Sequence, residues 1–185
     1  MLIEMIIFAL ALSVLSGGRM DQLGQLDLRE FWLVILAFAL QIGVYWAAVK
    51  GFSFGWSWVS PVFDTTSYFL LLIFTLCNWS MSGMRVLAFG ILLNTLVIVL
   101  NGGVMPVDPT FLPEASRKVL IEGQGTHGLM TSTTRISVLA DRFYLAIPGF
   151  NMQVFSVGDI FIDIGSLLLV FKTMTRKRVS NEYGG

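Results

Sequence analysis

Asp141 and Asp159, eighteen residues apart, are the side chains in this sequence whose type and spacing point to a reaction. Two carboxyls that share one proton can divide labour: one stays ionised and activates water, the other stays neutral and protonates a leaving amine. A turn at Pro148-Gly149, between them, would bring the two together. The same residues also suit a mechanical role. Ser156-x-x-Asp159 has the spacing of a capping box, in which the carboxylate accepts from free N–H groups at a helix start, and Asp141-Arg142 suits an ion-paired loop anchor. Asp163 follows Asp159 by four residues and projects from the same helix face, one turn deeper. Two ionised carboxylates there would repel. Either Arg142 or Arg135 sits between them, or a protonated Asp163 donates to Asn94 or Gln41; the functional version of this pair is a proton or cation relay.

The remaining candidates bind rather than react. Asn101-Gly102-Gly103 closes an apolar run and, with Pro106 close behind, does not continue a regular helix. Its glycines either stop the helix or offer backbone N–H groups to a ligand. His127 is the single histidine, in the polar run Gly123-Gln124-Gly125-Thr126-His127-Gly128. No Cys/His cluster accompanies it, so neither a metal nor a cofactor is expected.

Composition sets the medium in which these residues act. The 185 residues are 55% hydrophobic and 13% charged, with 12 Lys+Arg against 12 Asp+Glu. An ordinary soluble domain carries roughly 25% charged residues. A neutral chain has no electrostatic footprint for phosphate backbones, which excludes a nucleic-acid partner. One cysteine, Cys77, excludes a disulfide framework. The apolar residues come in blocks: 31–49, 65–84 and 86–107 contain no charged side chain, 1–16 contains Glu4, and 154–171 contains Asp159 and Asp163. Blocks of this length cross roughly 30 Å of hydrocarbon as helices. A cleaved signal peptide is the rival reading of the first block, disfavoured because no Lys or Arg precedes the apolar run.

Five spans put the chain ends on opposite sides. Seven of the twelve cations fall on one side, namely Arg19, Arg29, Arg85, Lys172, Arg176, Lys177 and Arg178, so that side is expected to be cytoplasmic. Lys50 and the long fourth loop, with Arg117, Lys118, Arg135 and Arg142, then face outward with the amino terminus. In the first loop, Met20, Leu23, Leu26 and Leu28 are spaced to lie along a membrane surface, where Arg19 and Arg29 would meet anionic headgroups. The aromatic second loop, Gly51-Phe52-Ser53-Phe54-Gly55-Trp56-Ser57-Trp58, suits a headgroup-level belt. Gln41, Asn78 and Asn94 are expected as hydrogen-bonding glue between spans, and 113–122 as a short surface helix with Ala115, Val119 and Leu120 inward.

At these residues the sequence resembles an uncharacterised bacterial multi-pass membrane family, a domain of unknown function numbered DUF5317. The marks are Gly17-Gly18-Arg19, Leu93-Asn94 leading to Asn101-Gly102-Gly103-x-Met105-Pro106, His127 with Leu129-Met130, and Leu139-x-Asp141 followed by Phe155-Ser156-x-Gly158-Asp159. The resemblance covers nearly the whole chain and implies an integral membrane protein without an assigned activity. A fainter similarity is to lipoprotein signal peptidases, whose last span opens on Phe-Asn-x-Ala-Asp after an Asp-Arg loop. Phe155-Ser156-Val157-Gly158-Asp159 and Asp141-Arg142 are similar in order, but Ser156 and Gly158 depart from the pattern and no Val-x-Asp-Phe segment is present. Only Asp159 maps onto a catalytic position of that family.

The sequence therefore predicts an all-α polytopic membrane protein of one domain, residues 1–185, with spans at about 1–16, 31–49, 65–84, 86–101 and 154–171, a partly structured outer loop 102–153 and a cytoplasmic tail 172–185. It is expected in the bacterial cytoplasmic membrane. Its leading role is a non-enzymatic scaffold that binds lipid or a membrane partner. The alternatives are an aspartyl hydrolase acting on a membrane-inserted peptide through Asp141 and Asp159, and a small ion or proton carrier using Asp159 and Asp163.

Overall fold

The structure, a computed structural model, describes residues 2–49, 58–110, 112–121, 126–145 and 153–176. Its elements are α1 (Leu2–Leu15), α2 (Trp32–Val49), α3 (Val59–Cys77), α4 (Met84–Leu100), β1 (Met105–Val107), α5 (Glu114–Ile121), β2 (His127–Leu129), β3 (Phe143–Leu145), β4 (Gln153–Phe155) and α6 (Val157–Met174), with 3-10 turns at Met20–Gln25 and Ser137–Leu139. The chain is mostly helical. It is not all-α, however: β1 pairs parallel with β2, β3 pairs antiparallel with β4, and Val107 bridges to Asp141. Pro106, Pro109 and Pro113 keep this stretch out of a long helix, because proline has no N–H to donate and crowds the preceding turn. Its backbone groups pair across the chain instead.

The five long helices lie in a row, α1 against α6, α6 against α4, α4 against α3 and α3 against α2. Alternate ends of the row hold the connections. At one end Arg19 N–H donates to Met174 C=O (2.9 Å) and Arg29 N–H to Asn78 Oδ1 (2.9 Å). At the other, Gln153 Nε2 donates to Glu4 Oε1 (2.5 Å), and the four strands gather there. The chain thus traverses the row five times.

By length and composition, one described helix, Val59–Cys77, is long and apolar enough to cross a membrane; Glu4–Leu15, Trp32–Ala47 and Met84–Leu100 are apolar but shorter. Helix length therefore does not carry five spans. The boundaries of three helices also move. The third helix begins at Val59 rather than 65, taking Asp64 inside, and ends at Cys77 because the Asn78 carboxamide caps it, donating to Phe74 C=O and Arg29 C=O. Asn78 thus tethers a loop and is not glue within a span. The fourth begins at Met84, before Arg85, whose guanidinium leaves the helix to lie over the Trp79 ring. The last begins at Val157 rather than 154, since Val154 and Phe155 belong to β4.

The α4–α6 contact is the tightest in the molecule's described part. Gly83 and Gly90 on one side meet Gly165 and Gly158 on the other, so the backbones touch where no side chain intervenes. A Cβ on Gly90 would lie 2.7 Å from Ile162 N, and one on Gly165 would lie 2.5 Å from Leu87 N. Helix backbones approach this closely only through small residues. Gly90→Ala is expected to destabilise the protein by about 1–3 kcal/mol through overpacking. Gly43→Ala, at an α2 site with nothing within 4 Å, serves as the control; there alanine's helix propensity adds up to about 1 kcal/mol. Thermal unfolding of the two variants in detergent reads the difference, and equal melting temperatures would contradict the packing.

Candidate functional site

At the strand-bearing end, four backbone elements bring polar side chains together. Ser156 is the N-cap of α6 in extended backbone, and Asp159 stands at the third helical position, so the capping box expected from their spacing forms. Asp159 Oδ2 accepts from Ser156 N–H (2.8 Å), and Ser156 Oγ accepts from Asp159 N–H (3.0 Å). The single Ser156 hydroxyl proton goes to Asn94 Oδ1 or to Asp159 Oδ2, each 2.9 Å away. Asn94 completes the ring by donating from Nδ2 to Asp159 Oδ1 (2.9 Å). Both carboxylate oxygens of Asp159 are therefore engaged, one by its own helix start and one by α4.

Asp141 reaches the same neighbourhood from the strand layer. Its N–H donates to Pro106 C=O (3.0 Å) and its C=O accepts from Asp108 N–H (2.8 Å), which pins it beside β1. Its buried carboxyl faces His127, with Oδ2 3.5 Å from Nε2, while Oδ1 has no hydrogen-bond partner among the described residues. The other imidazole nitrogen, Nδ1, lies 3.0 Å from the Thr126 hydroxyl. An imidazole held between a hydroxyl and a carboxylate can take a proton on one nitrogen and keep its orientation through the other.

The electrostatics of the pair follow from that arrangement. Burial pushes the Asp141 carboxyl above its ordinary value, and Asp159 adds to this, while His127 opposes it. Desolvation, the largest single influence, works against a charged His127, yet Asp141, joined by Asp64 and Asp159, outweighs it, so the imidazole titrates above its ordinary value. His127 is 48% exposed along its side chain, so solvent screens the pair.

Several sequence expectations change here. Asp141 pairs with His127 rather than with Arg142, whose side chain is exposed. Neither Arg142 nor Arg135 sits between Asp159 and Asp163. Asp163 does not donate to Asn94, which is committed to Asp159 and Ser156, nor to Gln41, which donates to Ser67 Oγ (2.8 Å) on α3. Asp163 is buried, and its Oδ2 lacks a hydrogen-bond partner among the described residues. Gln41 and Asn94 do join neighbouring helices, as expected. Arg19, expected at anionic headgroups, forms an exposed ion pair with Asp21 (2.8 Å).

The Asn101-Gly102-Gly103 run stops α4. Gly102 and Gly103 both have positive φ, and Gly103 N–H donates to Ile98 C=O (2.8 Å). The Asn101 side chain donates to Val97 and Arg135 carbonyls and accepts from Arg135 N–H, leaving no donor for a ligand. The Pro148-Gly149 segment, the aromatic segment through Ser57, the glycines before Thr126, the side chains of Ala115 and Val119 and the tail from Lys177 lie outside the described residues.

Two members of the cluster escaped the sequence reading. Asp64 is buried on α3, and Tyr68, one turn on, lies beside Asn94 and feels the charges of Asp64, Asp141 and Asp159. Asp64, Ser67 and Tyr68 at i, i+3 and i+4 form a polar stripe that points to this face. Treating Asp64 as the charge that bounds an apolar block hid it. Among the described residues no group of three or more His, Cys, Asp and Glu side chains is arranged to hold a metal ion.

Both His127 and Asp141 bind protons more tightly in the folded chain than in the unfolded one. The folded state then holds more protons, and stability falls as pH rises. The His127 share is present below its ordinary value of 6.5 and is lost as pH climbs through the raised one. The melting temperature of the detergent-solubilised protein is expected to decline between pH 6 and pH 9, and His127→Gln to flatten that decline; an unchanged slope in the variant would refute the pairing. Ser156→Ala, which removes the cap, is expected to cost about 1 kcal/mol at any pH.

A family model described as "Family of unknown function (DUF5317)" matches residues 25–171, which include every residue of the cluster. A relative described as an uncharacterized protein of Thermotoga maritima is 28% identical over 166 residues, covering 89% of this chain and 87% of its own length. No solved structure matches. The chain belongs to the family of unknown function DUF5317.

Proposed function

We propose that this chain is a five-span integral protein of the bacterial cytoplasmic membrane that acts without catalysis, as a scaffold binding lipid or a membrane partner. The observation that carries the reading is the exposed surface of the helix row. A single layer leaves two faces of every helix uncovered, and those faces carry large apolar side chains, among them Ile7, Ile35, Ile42, Phe69, Ile73, Leu92 and Val99. Water does not tolerate so continuous an apolar surface, and lipid does. Exposed aromatic rings sit at both ends: Tyr45, Trp46 (54%) and Trp58 toward the strands, Trp32 (56%) and Trp79 at the opposite end. Rings at two levels match the two headgroup layers of a bilayer. The five helices hold 14 to 19 residues each, about 21–28 Å at 1.5 Å per residue. Tight end turns and local thinning of the bilayer would absorb the shortfall. The cation distribution supports an orientation with the strands outside and the end of α6 inside.

The non-enzymatic part rests on Asp159. A carboxylate whose two oxygens cap one helix and hold another is a fastener. A second reading, an aspartyl hydrolase acting on a membrane-inserted peptide, is favoured by one observation, the unpartnered Oδ1 of Asp141 next to His127. The carrier reading has the unpartnered Oδ2 of Asp163, but Leu167, Leu168, Leu169 and Val170 occupy α6 between Asp163 and its end, which leaves no polar path onward.

Alkaline carbonate washing is expected to leave the protein in the membrane pellet. In a Cys77→Ala background, His127→Cys and Lys172→Cys should react with an impermeant maleimide from opposite sides. Release into the aqueous fraction, or labelling of both from one side, would overturn the five-span reading. In proteoliposomes holding a lipidated peptide, the scaffold reading expects no cleavage; cleavage abolished by Asp141→Asn would install the hydrolase instead.

A further inference from the structure

At the end of the row opposite the strands, a cleft of about 720 Å³ opens between the 3-10 turn Met20–Gln25, the loop joining α3 to α4, and the last turns of α6. Sites for small ligands fall at roughly 300–1,000 Å³. We propose that this cleft binds a single phosphate group, that of an anionic lipid headgroup or of a soluble phosphate ester. The proposal rests on the five-span reading only for the side of the membrane it assigns.

The cleft's chemistry is that of an anion site. Lys172 lines it from the last turn of α6, and Arg176 lines it from just beyond the Thr175 cap. Among the described residues neither makes a salt bridge or donates a side-chain hydrogen bond to protein. Ser80 and Ser82 line the facing wall, and their hydroxyls likewise have no protein partner there. Two cations and two hydroxyls on opposing walls supply donors to several oxygens of one ligand, which suits tetrahedral phosphate better than planar carboxylate. Among the described residues Asp27 is the one carboxylate of the lining, so their net charge is +1 and matches a phosphodiester monoanion.

The walls are held in place independently of any ligand. Gln22 Nε2 donates to Arg176 C=O (3.0 Å) and Arg19 N–H to Met174 C=O (2.9 Å), which ties the 3-10 turn to the end of α6. Leu26, Met81 and Leu169 form an apolar side to the same cleft, suited to the first carbons of an acyl glycerol. On the five-span reading this end faces the cytoplasm at headgroup depth.

Native mass spectrometry of the full chain in detergent, titrated with phosphatidylglycerol or phosphatidylcholine, tests the site. Phosphatidylglycerol is expected to be retained in preference, and Lys172→Gln/Arg176→Gln to weaken that retention about tenfold or more. Lys172→Arg/Arg176→Lys should restore it. Competition by millimolar glycerol phosphate or inorganic phosphate would assign the site to a soluble ester; no competition assigns it to the lipid. Equal retention of both lipids together with no binding of the soluble phosphates, or retention unchanged in the glutamine variant, overturns the proposal. Carbonate extraction of the same samples separates this failure from failure of the membrane reading, because an extractable protein that still binds glycerol phosphate keeps the cleft and loses the bilayer.

Discussion

The backbone contact between α4 and α6 is the constraint on which the rest depends. Gly83 and Gly90 on one helix meet Gly165 and Gly158 on the other. The last helix in the chain is thereby inserted between α1 and α4. At this separation the Asn94 side chain has one direction left to it, past Gly158 and onto Ser156 and Asp159. A side chain on Gly158 would occupy the space of the carboxamide. Close packing and the polar ring are thus one arrangement: the glycines set the distance, and the hydrogen bonds set the register.

The row architecture explains why the two ends carry different chemistry. With α6 between α1 and α4, its amino-terminal end meets the strand layer and its carboxy-terminal end meets the first loop and the loop after α3. Acidic side chains collect at the first end, where Asp64, Asp141 and Asp159 surround Tyr68 and His127. Basic ones collect at the second, in Lys172 and Arg176. Both placements complement the α6 dipole, positive at its start and negative at its close.

Much of the helical framework was legible in the residues because it is set locally. Uncharged apolar blocks, the Gly17-Gly18 stop after α1, the Gly102-Gly103 stop after α4 and the Ser156–Asp159 cap are all short-range features. Boundaries slipped in both directions: Asp64, read as an edge, lies within α3, and Asn78, read as interior to a span, ends it. The four strands were not legible. Three-residue runs such as Met105–Val107 have too few alternations to show a strand period, and their pairing with His127–Leu129 depends on chain twenty residues away.

The sequence by itself determined the apolar character of the helices, the cap of α6 and the neutral charge of the chain, since composition and spacing along one segment suffice for these. Only the tertiary structure decided which carboxylates have partners. Asp159 was bound to Asn94, Asp141 was turned toward His127, and Asp64 was brought in from a helix no motif connected to either. The physical reason is that a hydrogen bond or ion pair acts over a few ångströms, whereas these partners stand 14 to 65 residues apart in the chain; the glycine-lined packing of α4 and α6 sets the meeting of Asn94 with Asp159, and the pairing of β1 with β2 sets that of Asp141 with His127.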